Sequence, residues 1–207
     1  MNLTIAILGL LATIAAAVAT AGSWRAAGKA NQTAHRVAAI EHQRRHFELT
    51  PQFQITCTER KTAPGSADMH VTLAGPAGLD HLDEVTISIL DESGQDHWGH
   101  GLPEKVISEE AALFVWGPWE FNTGASAQVS DNRTTRPRPY SRGNGKNWDH
   151  LSLRRTRPGH WMTGTSPSRW EQQHEGKPVR ILITCRLAGY DPWFLGPFDL
   201  HVEQVAT

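Results

Sequence analysis

Cysteine is scarce in this chain of 207 residues: only Cys57 and Cys185. Two are too few for a disulfide scaffold and too few for a structural zinc site built from cysteines alone. An excess of one charge is also missing. Twenty Lys and Arg stand against 21 Asp and Glu, a formal net charge of −1. That argues against a protein that coats nucleic acid with a uniformly basic surface. Apolar residues are not lacking: 39% are hydrophobic, too many for a wholly disordered chain. Recurrent catalytic strings are absent. There is no Gly-x-Ser-x-Gly and no His-Glu-x-x-His. Gly143-Asn144-Gly145-Lys146 fails as a phosphate loop, because Tyr140 holds the place of its first glycine and Asn147 that of Ser or Thr. The expectation is a protein that is not an enzyme, with no metal and no cofactor.

What is present is unevenly spread. Residues 1–22 carry no charged side chain, and residues 23–47 sum to +4. Residues 48–131 hold three bases and fourteen acids, −11, and residues 132–157 hold eight bases and one acid, +7. Near-neutrality is a cancellation between segments. Residues 3–22 are twenty uncharged residues, mostly Leu, Ile, Val and Ala. As a helix rising 1.5 Å per residue they span about 30 Å, the thickness of a bilayer's hydrocarbon core. Residues 1–22 therefore read as a transmembrane anchor. A cleaved signal peptide wants a positive start and a shorter apolar core, although Ala19-Thr20-Ala21 offers a cleavage site near Ala21. All nearby bases (Arg25, Lys29, Arg36, Arg44, Arg45) follow the span, which places the N-terminus outside and the C-terminal domain in the cytoplasm. Cleavage would instead export the domain.

Residues 23–47 contain no proline and one glycine, and Ala26, Ala30, Thr33, Val37, Ile40 and Phe47 share one stripe at helical spacing. This predicts a helical juxtamembrane linker ending before Pro51. A short coiled coil is one reading of the stripe, against its small residues and the interruption by Arg44. Trp24 stands at the interfacial end of the span. His35, His42 and His46 share a face, but no carboxylate or cysteine completes a metal set there.

From residue 48 the period becomes two. Phe53, Ile55 and Cys57 alternate with mostly polar neighbours, as do Met69, Val71 and Leu73; Val85, Ile87 and Ile89; Val179, Ile181, Ile183 and Cys185 (with Leu182 the exception); and Phe198, Leu200 and Val202. Leu151 and Leu153 suggest a shorter strand, and residues 119–121 another. With Gly, Pro and Asp between them, these segments predict an antiparallel β-sandwich over residues 48–207. Two short helices are expected within it, one after Ser108 and one from Ser166-Pro167 to Gly176. Cys57 and Cys185 fall on inward faces. In the cytoplasm they stay thiols; in an exported domain they are positioned to bond.

Three groups are candidate sites. The first is the basic, proline- and glycine-rich segment 132–157, whose first half reads as a loop. Its Arg133, Arg136, Arg138, Arg142 and Lys146, interleaved with Tyr140 and Trp148, suit anionic lipid headgroups or an acidic protein, and less readily nucleic acid. The competing reading lays this segment against the acidic part of its own domain. The second is the aromatic cluster Trp116, Trp119 and Phe121, a ligand platform or a plug at the end of the core. The third is a turn holding Asp91, Glu92, Asp96, His97 and His100, which reads as solvated rather than as a metal site or a hydrolase centre.

The apolar span, Glu48-Leu49-Thr50-Pro51, Gly78-Leu79-Asp80-His81-Leu82-Asp83 and Trp116-Gly117-Pro118 together resemble single-pass membrane proteins of high-GC bacteria that have no assigned activity. Fifteen Arg against five Lys fits such a genome. The resemblance implies membrane attachment and no catalytic residue. The expectation is a membrane-tethered β-sandwich that works by binding, its partners being the bilayer through residues 3–22 and an anionic surface. The alternative is an exported domain that binds carbohydrate or wall polymer through tryptophans.

Overall fold

A computed structural model of the chain describes Trp24 and residues 28–92, 114–125, 127–142, 148–162 and 164–204; for Trp148 and Asp149 it describes the backbone alone. The chain divides into two units, Met1–Glu48 and Leu49–Thr207. Residues 28–48 of the first form one helix, α1. Among the described residues no helix is long and apolar enough to cross a membrane. The apolar run 3–22, on which the anchor is expected, lies outside them, as does the helix expected after Ser108.

The second unit is mainly β. Its strands are β1 Gln52–Glu59, β2 Ser66–Gly75, β3 His81–Ile89, β4 Trp119–Phe121, β5 Arg138–Ser141, β6 Trp148–Arg155, β7 Val179–Arg186, β8 Trp193–Leu200 and β9 Val202–Glu203. One sheet has the order β4-β6-β2-β1-β9, and the other β5-β3-β7-β8. The alternation read from sequence is the alternation of burial. Ala67, Met69, Val71 and Leu73 of β2 are buried, as are Val179, Ile181, Ile183 and Cys185 of β7, while residues between them are partly open. The inward residues of both sheets form one continuous core that includes Met69, Leu151, Leu153, Phe121, Ile87, Ile181, Ile183 and Tyr140. Two sheets sharing one core make the domain β-sandwich-like.

The strand expected over residues 198–203 is two strands in different sheets. Phe198 and Leu200 end β8 beside β7, and Val202 then pairs β1. The β1–β9 pair is parallel, whereas every other strand pair described is antiparallel. The apolar alternation continues across His201 because a chain that switches sheets keeps its apolar side on the shared core. The region expected as loop also gains order. Arg138–Ser141 pairs β3, and bridges join Val129 to Thr135 and Ser88 to Thr134. Proline is admissible there because β5 is an edge strand and need not donate on its free side. Gly196 sits where the β7–β8 register shifts, at φ +111°; a Cβ there would lie 3.0 Å from the Ile181 carbonyl oxygen.

The helix expected after Ser166 forms as α2, Pro167–His174. Ser166 Oγ accepts from Arg169 N at 3.2 Å, and Gly176 follows in the left-handed region at φ +69°. Its buried face is Trp170 and His174.

Candidate interaction surfaces

The basic segment divides in two. Arg133 is turned inward: its Nη2 lies 2.7 Å from Asp91 Oδ1, its Nη1 donates to the Phe114 carbonyl at 2.7 Å, and its side chain is 19% exposed. Arg154 Nε donates to Glu120 Oε1 at 2.7 Å. These pairs tie the basic segment to acids of residues 48–131. Two further guanidinium groups lie over rings, Arg138 at 5.6 Å from the Tyr140 centroid and Arg155 at 4.7 Å from that of Trp119. Tyr140 is a core residue, 2% exposed, with its ring edge-on to Phe53. Among the described residues of the segment, the exposed cations are Arg136, Arg142, Arg154 and Arg157, and of these Arg154 is the one paired with an acid. Arg136 precedes β5 and Arg142 follows it. Both are fixed by their backbones, Arg136 N donating to Gln128 O at 2.9 Å and Arg142 N to Asp80 O at 2.7 Å. Arg142 Nη1 also donates to Pro76 O at 3.1 Å. Lys146 and the Trp148 side chain lie outside the described residues.

The aromatic string splits along the strand. Trp119 and Phe121 are buried in the core, and Trp116 is half-buried against Phe114, ring centroids 4.9 Å apart. Phe114 also meets Trp161 at 5.2 Å and Trp170 at 5.8 Å. Thr156 joins α2 to this string. Its buried hydroxyl accepts from Trp170 Nε1 at 2.9 Å and donates to the Gly117 carbonyl. The described tryptophans of this unit, Trp116, Trp119, Trp161, Trp170 and Trp193, are all buried or half-buried.

The acidic turn shows paired carboxylates. Asp91 accepts from Trp116 N at 3.0 Å as well as from Arg133. Glu92 takes Lys177 Nζ at 2.7 Å and lies 3.7 Å from His174 Nε2. His174 is itself buried, its Nδ1 2.9 Å from the Trp170 carbonyl oxygen. Asp96, His97 and His100 lie outside the described residues. Among the described residues no three His, Cys, Asp or Glu side chains are placed to hold a metal ion.

Strand register brings together a polar group that sequence pattern alone does not. On the outer face of the first sheet, His70 opposes His150 and Asp68 opposes Ser152. The two imidazoles stack at 4.7 Å with planes 9° apart. Asp68 Oδ1 accepts from Arg60 Nε at 2.7 Å and lies 2.8 Å from His150 Nε2. Burial alone raises the Asp68 carboxyl, but hydrogen bonds from Arg60 and His150, and their charges, hold it below the usual carboxylate range. The signal was the outward period of β2 and β6; the pairing needs the register. Elsewhere an open groove of about 460 Å³ runs between the turn at Pro64-Gly65 and α2, with Arg155, Ser168, Glu171 and Glu175 on its walls.

Cys57 and Cys185 are both buried and free. Burial pushes each thiol up to about 12, which disfavours the thiolate.

No protein-family model, curated protein or solved structure matches this chain.

Proposed function

We propose that this protein is a membrane-tethered, non-catalytic interaction module that meets an anionic partner along its β5 edge. In this reading residues 3–22 anchor the chain, α1 spaces the domain from the bilayer, and the domain occupies the cytoplasmic side, where the flanking bases collect. The observation that carries it is the placement of Arg136 and Arg142. Most other arginines of the basic segment are engaged by acids or rings, but these two are exposed at the ends of a strand pinned to β3. Six residues of near-extended chain set them about 20 Å apart, a fixed pair of cations rather than a mobile tail. Prolines and arginines on an edge strand also discourage edge-to-edge pairing, which suits an edge that binds through side chains.

The reading is tested with full-length protein in neutral phosphatidylcholine nanodiscs, probed with phosphatidylglycerol vesicles. Each cation near an anionic leaflet contributes about 1 kcal/mol, so losing two weakens capture about 30-fold and reversing both weakens it further. Salt-sensitive capture that is lost in the Arg136→Glu/Arg142→Glu variant supports the proposal. Capture unchanged by the variant, or no capture by the wild type, refutes it.

A further inference from the structure

Helix α1 carries large apolar side chains in the open. Val37, Ile40 and Phe47 are 53%, 64% and 66% exposed. They belong to an unbroken heptad register over residues 28–48. Ala30, Val37 and Arg44 fall at position a, and Thr33, Ile40 and Phe47 at position d. We propose that α1 pairs in parallel with α1 of a second copy of this chain, as a short two-stranded coiled coil.

The charges flanking the seam choose this occupant and this direction. Lys29, Arg36 and Gln43 fall at g, and Ala34, Glu41 and Glu48 at e. In a parallel pair each g residue faces the next e residue of the other helix. Arg36 then meets Glu41 of the second copy, Gln43 meets Glu48, and no like charges oppose across these flanking positions. In an antiparallel pair g faces g and e faces e. Bases would oppose bases and acids would oppose acids, so that arrangement is disfavoured.

Two residues that look unfit for a seam are already accommodated. Arg44 lies 3.1 Å from Glu41 and 3.6 Å from Glu48, both on its own helix at the flanking e positions. In the parallel pair Arg44 faces Arg44 of the second copy; the two carboxylates on each helix offset that repulsion, and a single polar a position specifies register and oligomer state at a cost in stability. Thr33 donates its hydroxyl to the Lys29 carbonyl at 2.9 Å, which leaves its methyl as the contacting group. The histidines His35 and His42 fall at f, the position farthest from the partner helix. Ala30 and Thr33 bury little surface, so the pairing is weak in dilute solution. Two chains confined to one bilayer meet at a higher effective concentration. The pairing does not depend on the basic β5 edge; the tether proposed above raises its occupancy but makes none of its contacts.

The test is a cysteine scan of purified full-length protein under mild oxidation, with single substitutions at residues 35, 37, 38, 40, 42 and 44. The unsubstituted chain is the blank, since Cys57 and Cys185 are buried. Cross-linking at 37, 40 and 44 at least tenfold above 35, 38 and 42 supports a parallel, in-register pair. Ile40→Glu then converts the dimer to monomer by sedimentation, while thermal unfolding of the β domain is unchanged. Uniform cross-linking around the helix, or a monomer with no cross-linking at 37 and 40, overturns the proposal. A monomer in which Ile40 is shielded by the chain's own β domain or by detergent overturns it equally.

Discussion

Replacing Arg133 by methionine separates structural arginines from those open to a partner. Methionine keeps most of the aliphatic stem and removes the guanidinium. Among the described residues two bonds of its guanidinium are lost, to Asp91 and to the Phe114 carbonyl, both at 2.7 Å. Hydrogen bonds involving a charged group contribute about 1.5–3 kcal/mol each, and breaking a buried ion pair costs about 3–5 kcal/mol. Asp91 remains 29% exposed and still accepts from Trp116 N, so water offsets part of the loss. The expected cost is about 2–4 kcal/mol, and a unit of this size loses roughly 2–4 °C in Tm per kcal/mol. Arg133→Met is therefore expected to melt about 10 °C below the wild type by circular dichroism. Arg136→Met, an exposed change, stays within about 0.5 kcal/mol. Equal melting of the two variants would refute the division of the basic segment into an internal and an external set.

Three further outcomes follow from the same structure. Thr156→Val keeps shape but strands Trp170 Nε1 and the Gly117 carbonyl, so it is expected to cost about 2–4 kcal/mol by urea unfolding; because Trp170→Phe removes one of the same bonds, the double variant is expected to cost less than the sum of the two. The folded Asp68 carboxyl lies below its ordinary value of 3.8. Its contribution is therefore complete above that value and lost as pH falls through the folded one. The stability gap between wild type and Asp68→Asn is expected to shrink between pH 6 and pH 3, and a gap that widens contradicts the pairing. At pH 8, where a thiol of pKa about 12 holds about one thiolate in ten thousand, a thiol reagent is expected to label neither cysteine in the native protein. It is expected to label both after unfolding without reductant, and rapid native labelling of either contradicts its burial.

The sheets were legible in the sequence because a strand with one buried face must alternate, and β1, β2, β3 and β7 do so cleanly. The N-cap Ser166, Pro167 and Gly176 marked α2 for equally local reasons. Where neighbours in space decide, the sequence was silent. Arg133 and Arg136 look alike in one dimension; only the position of Asp91 beside β3's end makes one internal. Arg138–Ser141 hid as a strand because proline counts against strands in general, although it is tolerated at an edge. Asp68 and His70 share β2, but His150 lies about eighty residues further along the chain and meets them only through the β2–β6 register. The switch of sheet at His201 leaves no mark, since the inward alternation of Phe198, Leu200 and Val202 is the same on either side of it.

The proposed binding edge is carried by a domain tethered on the cytoplasmic side of a bilayer, where the bases flanking the span collect. A reporter fused after Thr207, active on one side of the membrane only, tests it most directly when combined with alkaline extraction of the membrane fraction. The expected outcome is a chain that resists extraction with its C-terminal reporter in the cytoplasm, and release to the soluble fraction when Ala12 and Ala16 are replaced by arginine. A reporter active outside the membrane, or a wild-type chain recovered in the soluble fraction, would contradict it.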